Sequence, residues 1–461
     1  MSLIDSLSRA VPDDIIITDP DVMDRYLHDD AEWAPYEQAV AVIRPRDTAQ
    51  VAAAVNWCIE NRVAVVPRGS GTGLSGGANA LAGCLVISLD AMDRVLAVDP
   101  VERTARVQPG VINNDLRARV AEDGLWYPPD PASAPWSSIG GNVATNAGGL
   151  CCVKYGVTSE YVLSLEVVTG TGKVVRVGKR TAKDVAGYDL RALLVGSEGT
   201  LGIITEVTVR LLPLPPAATA IVGYFDSLVE AGQGVANVTA AGVIPSALEL
   251  VDSYCLKAVD DWKNMGLSAE AEVILLASTD VPGAAGEAEA AAIVAAFESA
   301  GATFAAVSEN AEEAEAFFAA RRLAYPALER LGPVLTEDIC VARSKVPEVL
   351  RRIQGIGEAH DTVLAQIAHA GDGNLHPLLV TPAGDEDAKR RAQAAFEDII
   401  AVALEAGGTV SGEHGIGLLK ADGLASQLSA EVIDMHVAVK RALDPHGIMN
   451  PGKVFAVPGE E

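Results

Sequence analysis

Val63-Ala-Val-Val-Pro-Arg-Gly-Ser-Gly-Thr-Gly-Leu-Ser-Gly-Gly77 carries a short apolar run straight into a glycine-rich loop, and the reading of this stretch decides the fold. Gly71, Gly73 and Gly76 make a GxGxxG match behind a strand, which invites a dinucleotide-binding βαβ unit. Such a loop must open a helix whose N-terminus meets a pyrophosphate. Here only Ala78 to Gly83 stand before the next apolar strand, Leu85 to Leu89, too few for that helix. The glycines suit an anion nest instead, in which successive backbone N–H groups point into one concavity and Arg68 supplies charge. A flexible turn is the plainer reading of one such run. Two further blocks, Ile139 to Gly149 and Gly196 to Gly202, count against it.

Around these blocks the apolar spacing alternates between helix and strand periods. Val51, Ala54, Val55, Cys58 and Ile59 recur at helical spacing between Asp47 and Asn61, behind an Asp/Thr cap signal. A hairpin is expected over Val95 to Val107 and a helix near Asn114 to Glu122. Strands follow at Val162 to Thr169, Val174 to Val177 and Ile203 to Leu211. Pro213, Pro215 and Pro216 then make a natural stop. Beyond them, helices such as Gly286 to Ala300 and Glu312 to Leu328 alternate with strands such as Val273 to Ser278 and Val363 to Ala368. The pattern is α+β without a βαβ rhythm. The expected division is an N-terminal segment over 1–34, a first domain over 35–216, a substrate or cap domain over 217–410 and a C-terminal segment over 411–461.

The 461 residues are too many for one ordinary core, and 49% hydrophobic with 21% charged residues is the composition of a folded enzyme. A net charge of -27 without any Lys/Arg run argues against a nucleic-acid partner. It also means that a site for an anionic substrate has to be locally positive. The six cysteines show no CxxC pair and read as reduced packing residues. Met1 to Asp14 lacks the features of a secretory signal, and no run reaches about 18 uncharged apolar residues, so a cytoplasmic protein without a transmembrane segment is expected.

Pro67-Arg-Gly-Ser-Gly-Thr-Gly73, Pro129-Asp-Pro-Ala-Ser133, Ile139-Gly-Gly-Asn-Val-Ala-Thr-Asn-Ala-Gly-Gly149 and Gly196-Ser-Glu-Gly-Thr-Leu-Gly202 stand in the order found in vanillyl-alcohol-oxidase (PCMH-type) FAD domains. From about Tyr36 to Phe455 the chain resembles the D-lactate dehydrogenase, glycolate oxidase and D-2-hydroxyglutarate dehydrogenase group of that family. The resemblance implies an α+β flavoprotein with an FAD domain, a cap domain and a C-terminal segment returning to the FAD domain. It implies that Pro67, Arg68, Gly69, Ser70, Gly71, Thr72 and Gly73 hold the pyrophosphate. Pro129, Asp130, Ser133, Ser138, Gly140, Gly141, Asn142, Thr145 and Gly148 would line the FAD further along, with Glu198, Gly199, Ile203 and Ile204 completing the wall. Some members tether FAD to a histidine in the first loop. None lies between Pro67 and Gly77, so non-covalent FAD is expected.

His369-Ala-Gly-Asp-Gly-Asn-Leu-His376 and Gly412-Glu-His-Gly-Ile-Gly417 gather three of the seven histidines and Glu413 into two glycine-flanked segments. Core-packing histidines would be scattered. The resemblance makes His369, His376 and Glu413 ligands of a divalent metal, zinc or manganese, and His414 the base. An Asp-Gly pair is a two-residue hairpin signal, so a turn at Asp372 and Gly373 would set His369 directly opposite His376. Arg321, in Phe317-Phe-Ala-Ala-Arg-Arg322, matches the position where the group places an arginine on the substrate carboxylate, with Arg322 the lesser candidate. Where D-2-hydroxyglutarate dehydrogenases carry a lysine, just before the acid matching Asp338, this chain has Glu337 or Thr336, which speaks against hydroxyglutarate. Asn450-Pro-Gly-Lys453 resembles the motif that brings the tail back to the flavin, with Asn450 the candidate to read its edge.

The implied reaction is oxidation of a small D-2-hydroxy acid to the 2-oxo acid, with electrons passed to a quinone, an electron-transfer flavoprotein or a cytochrome. A homodimer is left open. Two rivals share the fold: a flavin-dependent transferase of the alkyl-dihydroxyacetone-phosphate-synthase type, which typically carries a histidine-rich run where Ser411-Gly-Glu-His414 stands, and a non-catalytic FAD-binding subunit of a glycolate-oxidising complex.

Overall fold

A computed structural model describes residues 2–179, 181, 183–267 and 270–457. The chain divides into two units, the first built from residues 1–148, 157–214 and 413–461 and the second from 149–156 and 215–412. The last four residues of the expected 411–461 segment lie outside the described residues.

In the first unit, the helix Thr48–Asn61 starts where Asp47 accepts a hydrogen bond from the Gln50 N–H at 2.9 Å, and it ends where Arg62 turns left-handed. Its buried face is Val51, Ala54, Val55 and Cys58, each valine contributing about 1.5–3 kcal/mol by leaving water. That face packs on a sheet whose order is Ile16–Ile17, Ala41–Ile43, Leu85–Ser88, Val65–Arg68. Val65–Arg68 and Leu85–Ser88 run parallel, and the crossover between them contains no helix. The first glycine block is that crossover, which removes the βαβ reading. A second sheet is antiparallel throughout, in the order Val95–Asp99, Thr104–Val107, Gly202–Arg210, Val162–Thr169, Val174–Gly178.

The C-terminal stretch belongs to this unit through buried lysines. Lys440 donates to the carbonyls of Thr200 and Met449 at 3.0 and 2.6 Å and to Asp444 Oδ2 at 2.7 Å. Lys453 donates to the Gly76 and Asn79 carbonyls at 2.9 and 2.6 Å, and burial pushes it down to about 8. The Val65 N–H donates to the Ile448 carbonyl and the Asn450 N–H to that of Val65, both at 2.7 Å. Such charge-assisted bonds to carbonyls satisfy ammonium groups that would otherwise be costly to bury.

The second unit is an antiparallel sheet in the order Phe304–Val307, Thr219–Phe225, Val273–Thr279, Ala247–Asp252, Val363–His369, Asn374–Val380, Val334–Thr336, with Ile339–Cys340 also pairing the sixth strand. The helices Ser253–Lys263 and Ala311–Glu329 share one core with the face carrying Val251, Ile367 and Leu378. Side chains alternate along strands, so Glu249, His369 and His376 lie on that same face. Residues 149–156 join this unit, where Lys154 and Tyr155 both hydrogen-bond the Asp280 carboxylate. Nothing local in the sequence announces this excursion out of the second glycine block.

The histidine hairpin differs from its expected register. Ile367 pairs with His376, Ala368 with Leu375 and His369 with Asn374, so the loop has four residues, Ala370 to Gly373, rather than two. The Gly371 N–H is drawn to the Leu248 carbonyl of the neighbouring strand at 2.9 Å, and Gly373 alone takes a positive φ of 83°. A two-residue hairpin turn of this kind needs both central residues at positive φ, and Asp372 does not adopt it. The slip is two residues, and a two-residue slip preserves the face. The histidines become diagonal neighbours on the expected side of the sheet.

Candidate active site

In the first unit the three glycine blocks meet. A methyl group on Gly69 would lie 2.5 Å from Ser138 Oγ and 3.4 Å from Gly141 Cα, so the first block runs close against the start of the second. Gly199, at φ +74°, is pressed against Pro67, where a methyl would come within 2.3 Å of the ring. The Glu198 N–H donates to the Ala144 carbonyl at 2.8 Å, joining third block to second. Asn450 Nδ2 ties first to third by donating to the Gly77 and Glu198 carbonyls at 2.9 and 2.7 Å.

Around this junction Ser88 Oγ, Ser137 Oγ, Asn142 Nδ2 and Asn450 Oδ1 are buried with no hydrogen-bond partner among the described residues. Buried polar atoms are nearly always paired, so such a group beside a glycine cradle fits a polar cofactor like FAD. Several expected FAD residues have other duties. The Arg68 guanidinium donates to the His28, Arg25 and Ser70 carbonyls at 2.5, 3.1 and 3.5 Å, so its donors brace the loop from beneath rather than reach across it. The Pro129 carbonyl accepts from Asn113 Nδ2, and Ser133 accepts the Trp136 and Ser137 N–H groups through its carbonyl. Ser138 caps the helix Ile139–Thr145. Ile203 and Ile204 enter two different hydrophobic cores.

The loop bearing His414 is knitted to the same junction. Glu198 Oε1 and Oε2 accept the Ile416 and Gly417 N–H groups at 2.7 and 2.8 Å, and Ser75 Oγ donates to the Gly415 carbonyl at 3.0 Å. Burial pushes Glu198 up to about 6 against the pull of those two donors. Its side chain therefore grips the histidine loop. Gly148 faces Glu413, whose Oε2 would lie 2.3 Å from a methyl there, and His414 Nε2 is 3.6 Å from Glu413 Oε1.

In the second unit His369 and His376 are both buried, with ring centroids 5.1 Å apart and planes at 87°. Asp338 Oδ1 lies 3.6 Å from His376 Nδ1, and that carboxylate also accepts from Asn374 Nδ2 and Ser411 Oγ at 2.7 Å each. His376 and Asp338 offer an imidazole and a carboxylate of the kind zinc or manganese accepts, and the metal-type donors within mutual reach among the described residues include these two but not His369. Arg321, only 6% exposed, reaches Glu249 Oε2 through Nε at 2.9 Å, and the same carboxylate is 2.8 Å from His369 Nδ1. Arg322 is exposed and pairs with Glu315, the helix-surface role.

Residues 39–178 match the FAD binding domain family, and residues 214–454 match the C-terminal domain of FAD linked oxidases. The chain belongs to the FAD-linked oxidases. It is 43% identical over 417 residues to glycolate oxidase subunit GlcD of Bacillus subtilis (strain 168), covering 90% of this chain and 89% of that protein. It is 34% identical over 467 residues to D-lactate dehydrogenase of Anaerostipes hadrus, covering 98% and 97%. In fold, this FAD-linked oxidase is similar to p-cresol methylhydroxylase with substrate bound, at a TM-score of 0.85 and 16% identity over 100% of this chain and 97% of that one. The first unit thus has the PCMH-type FAD-binding fold, and the chain is an FAD-dependent oxidoreductase.

Glu249 has no counterpart in the sequence reading. Its signal is an acid in the middle of the apolar run Ala247-Leu-Glu-Leu-Val251, which marks a buried polar group but names no partner. Among the described residues no helix is long and apolar enough to cross a membrane.

Proposed function

We propose that this FAD-linked oxidase converts a small D-2-hydroxy monocarboxylate, such as D-lactate or glycolate, to the 2-oxo acid. The observation that carries the proposal is the buried group made by His369 and His376 on one face of the sheet and Arg321 on the helix that shares its core. A 2-hydroxy acid offers two handles, a carboxylate and a hydroxyl. A guanidinium suits the first, and a metal-binding imidazole pair suits the second. The named activities of the two relatives support the same substrate class.

Bound FAD supplies a hydride acceptor, and a divalent metal supplies a Lewis acid for the hydroxyl oxygen. His369 and His376 are the proposed ligands, with Glu413 as the third by resemblance. Arg321 holds the carboxylate, and its pairing with Glu249 through Nε turns the Nη edge to that task. His414, neutral, takes the hydroxyl proton as the hydride leaves the α-carbon. Glu337 or Thr336 stands where D-2-hydroxyglutarate dehydrogenases carry a lysine, so no ammonium is offered there to a second carboxylate. Glu413 speaks against the transferase, and a non-catalytic subunit has no use for the histidine group.

Anaerobic mixing with D-lactate or glycolate is expected to bleach the flavin, whereas L-lactate is not. Absence of bleaching by every D-hydroxy acid tried would support the non-catalytic reading. FAD is held without a covalent tether: acid precipitation is expected to release all flavin into the supernatant as FAD, and yellow pellets would contradict this. Arg321→Lys is expected to raise KM about 10- to 100-fold with a smaller effect on kcat, because an ammonium keeps the pairing with Glu249 but loses a charged, two-pronged bond. An unchanged KM in steady-state kinetics would remove Arg321 from carboxylate binding.

A further inference from the structure

We infer that Glu249 is a positioning residue that sets both halves of this site, by fixing which nitrogen of His369 faces a metal ion and which edge of Arg321 faces a carboxylate. The inference rests on the proposed roles of those two residues. Glu249 is fully buried in the strand Ala247–Asp252 and touches both partners at once: Oε1 is 2.8 Å and Oε2 3.0 Å from His369 Nδ1, and Oε2 is 2.9 Å from Arg321 Nε.

An ionised carboxylate can only accept hydrogen bonds, so the Nδ1 atom that both its oxygens approach is the one that carries the proton. The lone pair of the ring is then on Nε2. A ligating histidine commonly donates its other nitrogen to a carboxylate in this way, which fixes the tautomer and the ring plane and strengthens the ligand. The arginine is held by the same logic. With Nε committed to Glu249, the guanidinium plane is set and its Nη pair is the edge left for a two-pronged carboxylate bond. A carboxylate serving only to neutralise Arg321 would not need its second oxygen turned to a histidine.

Glu249→Gln keeps the shape and lets an amide N–H donate to Nδ1, which drives the ring proton to Nε2, the ligand atom. Zinc affinity, measured on the FAD-loaded protein by competition with a chromophoric chelator, is expected to fall about 10- to 100-fold with FAD content unchanged. His369→Ala is the control. If zinc affinity of the parent does not depend on His369, the ligand reading fails and takes this inference with it. If it depends on His369 yet changes less than about twofold in Glu249→Gln, the inference alone is overturned. Should the variant not fold, the zinc-loaded parent decides: nitrogen-15 histidine spectra, with His369 assigned from its alanine variant, are expected to show the proton on Nδ1. A proton on Nε2 would overturn the assignment.

Discussion

His414→Ala is expected to lower turnover by about 100-fold or more while FAD content and absorbance stay unchanged, since a positioned general base is typically worth that much. The two effects separate because of how the loop is built. It is held by the Ile416 and Gly417 N–H groups on Glu198 and by the Gly415 carbonyl on Ser75 Oγ, and none of these bonds uses the imidazole. Removing the ring therefore takes away a proton acceptor without releasing its support. The three glycine blocks that fit FAD also keep their mutual contacts, which run through Gly69, Gly199, Glu198 N–H and Asn450. Stopped-flow bleaching by D-lactate isolates the reductive step from reoxidation, and there the loss should reside in kcat rather than KM. A bleaching rate within about threefold of the parent's would remove His414 from proton transfer. Loss of FAD instead would make it part of the cofactor's support.

The sequence was legible where short range decides. The helix Thr48–Asn61, the hairpin Val95 to Val107 and the strand Gly202–Arg210 follow from local spacing and caps, and the short interval before Leu85 excludes a crossover helix. The glycine blocks declare a cradle because a run of glycines is costly for any chain without such a use. What failed was set at long range. The histidine turn is wider than Asp372-Gly373 suggests because the Gly371 N–H answers to Leu248, more than a hundred residues earlier. Glu249 meets Arg321 and His369 at separations of 72 and 120 residues, which no local pattern encodes. Arg68 meets carbonyls of the N-terminal segment, a contact the sequence did not announce because that segment carries no motif. The two-residue period of strands explains why the register error did so little harm: the expected face survived although the expected pairing did not.

Removal of divalent metal is expected to abolish substrate-driven bleaching, by about 100-fold or more, without altering the FAD spectrum, and added zinc or manganese should restore it. The magnitude follows from a Lewis-acid contribution of several kcal/mol, about 1.4 kcal/mol being a factor of ten. The spacing of the two imidazoles is compatible with the proposed sharing of one ion. With zinc–nitrogen bonds of roughly 2.0–2.1 Å, each ring centroid stands about 3.2 Å from the metal, and two such centroids at a tetrahedral angle are about 5 Å apart. His369 and His376 have centroids 5.1 Å apart with nearly perpendicular planes. Direct opposition across the hairpin is thus not required, since cross-strand diagonals of about 7–8 Å are within reach of long side chains that lean together. FAD should be indifferent to the chelator, because the glycine junction is held by its own contacts through Gly69, Gly199, the Glu198 N–H and Asn450. His376→Ala should reproduce the effect of the chelator and resist rescue by added metal, which separates loss of the ion from chelator damage. Full bleaching in protein shown to be metal-free by elemental analysis would return both histidines to a polar substrate-binding role.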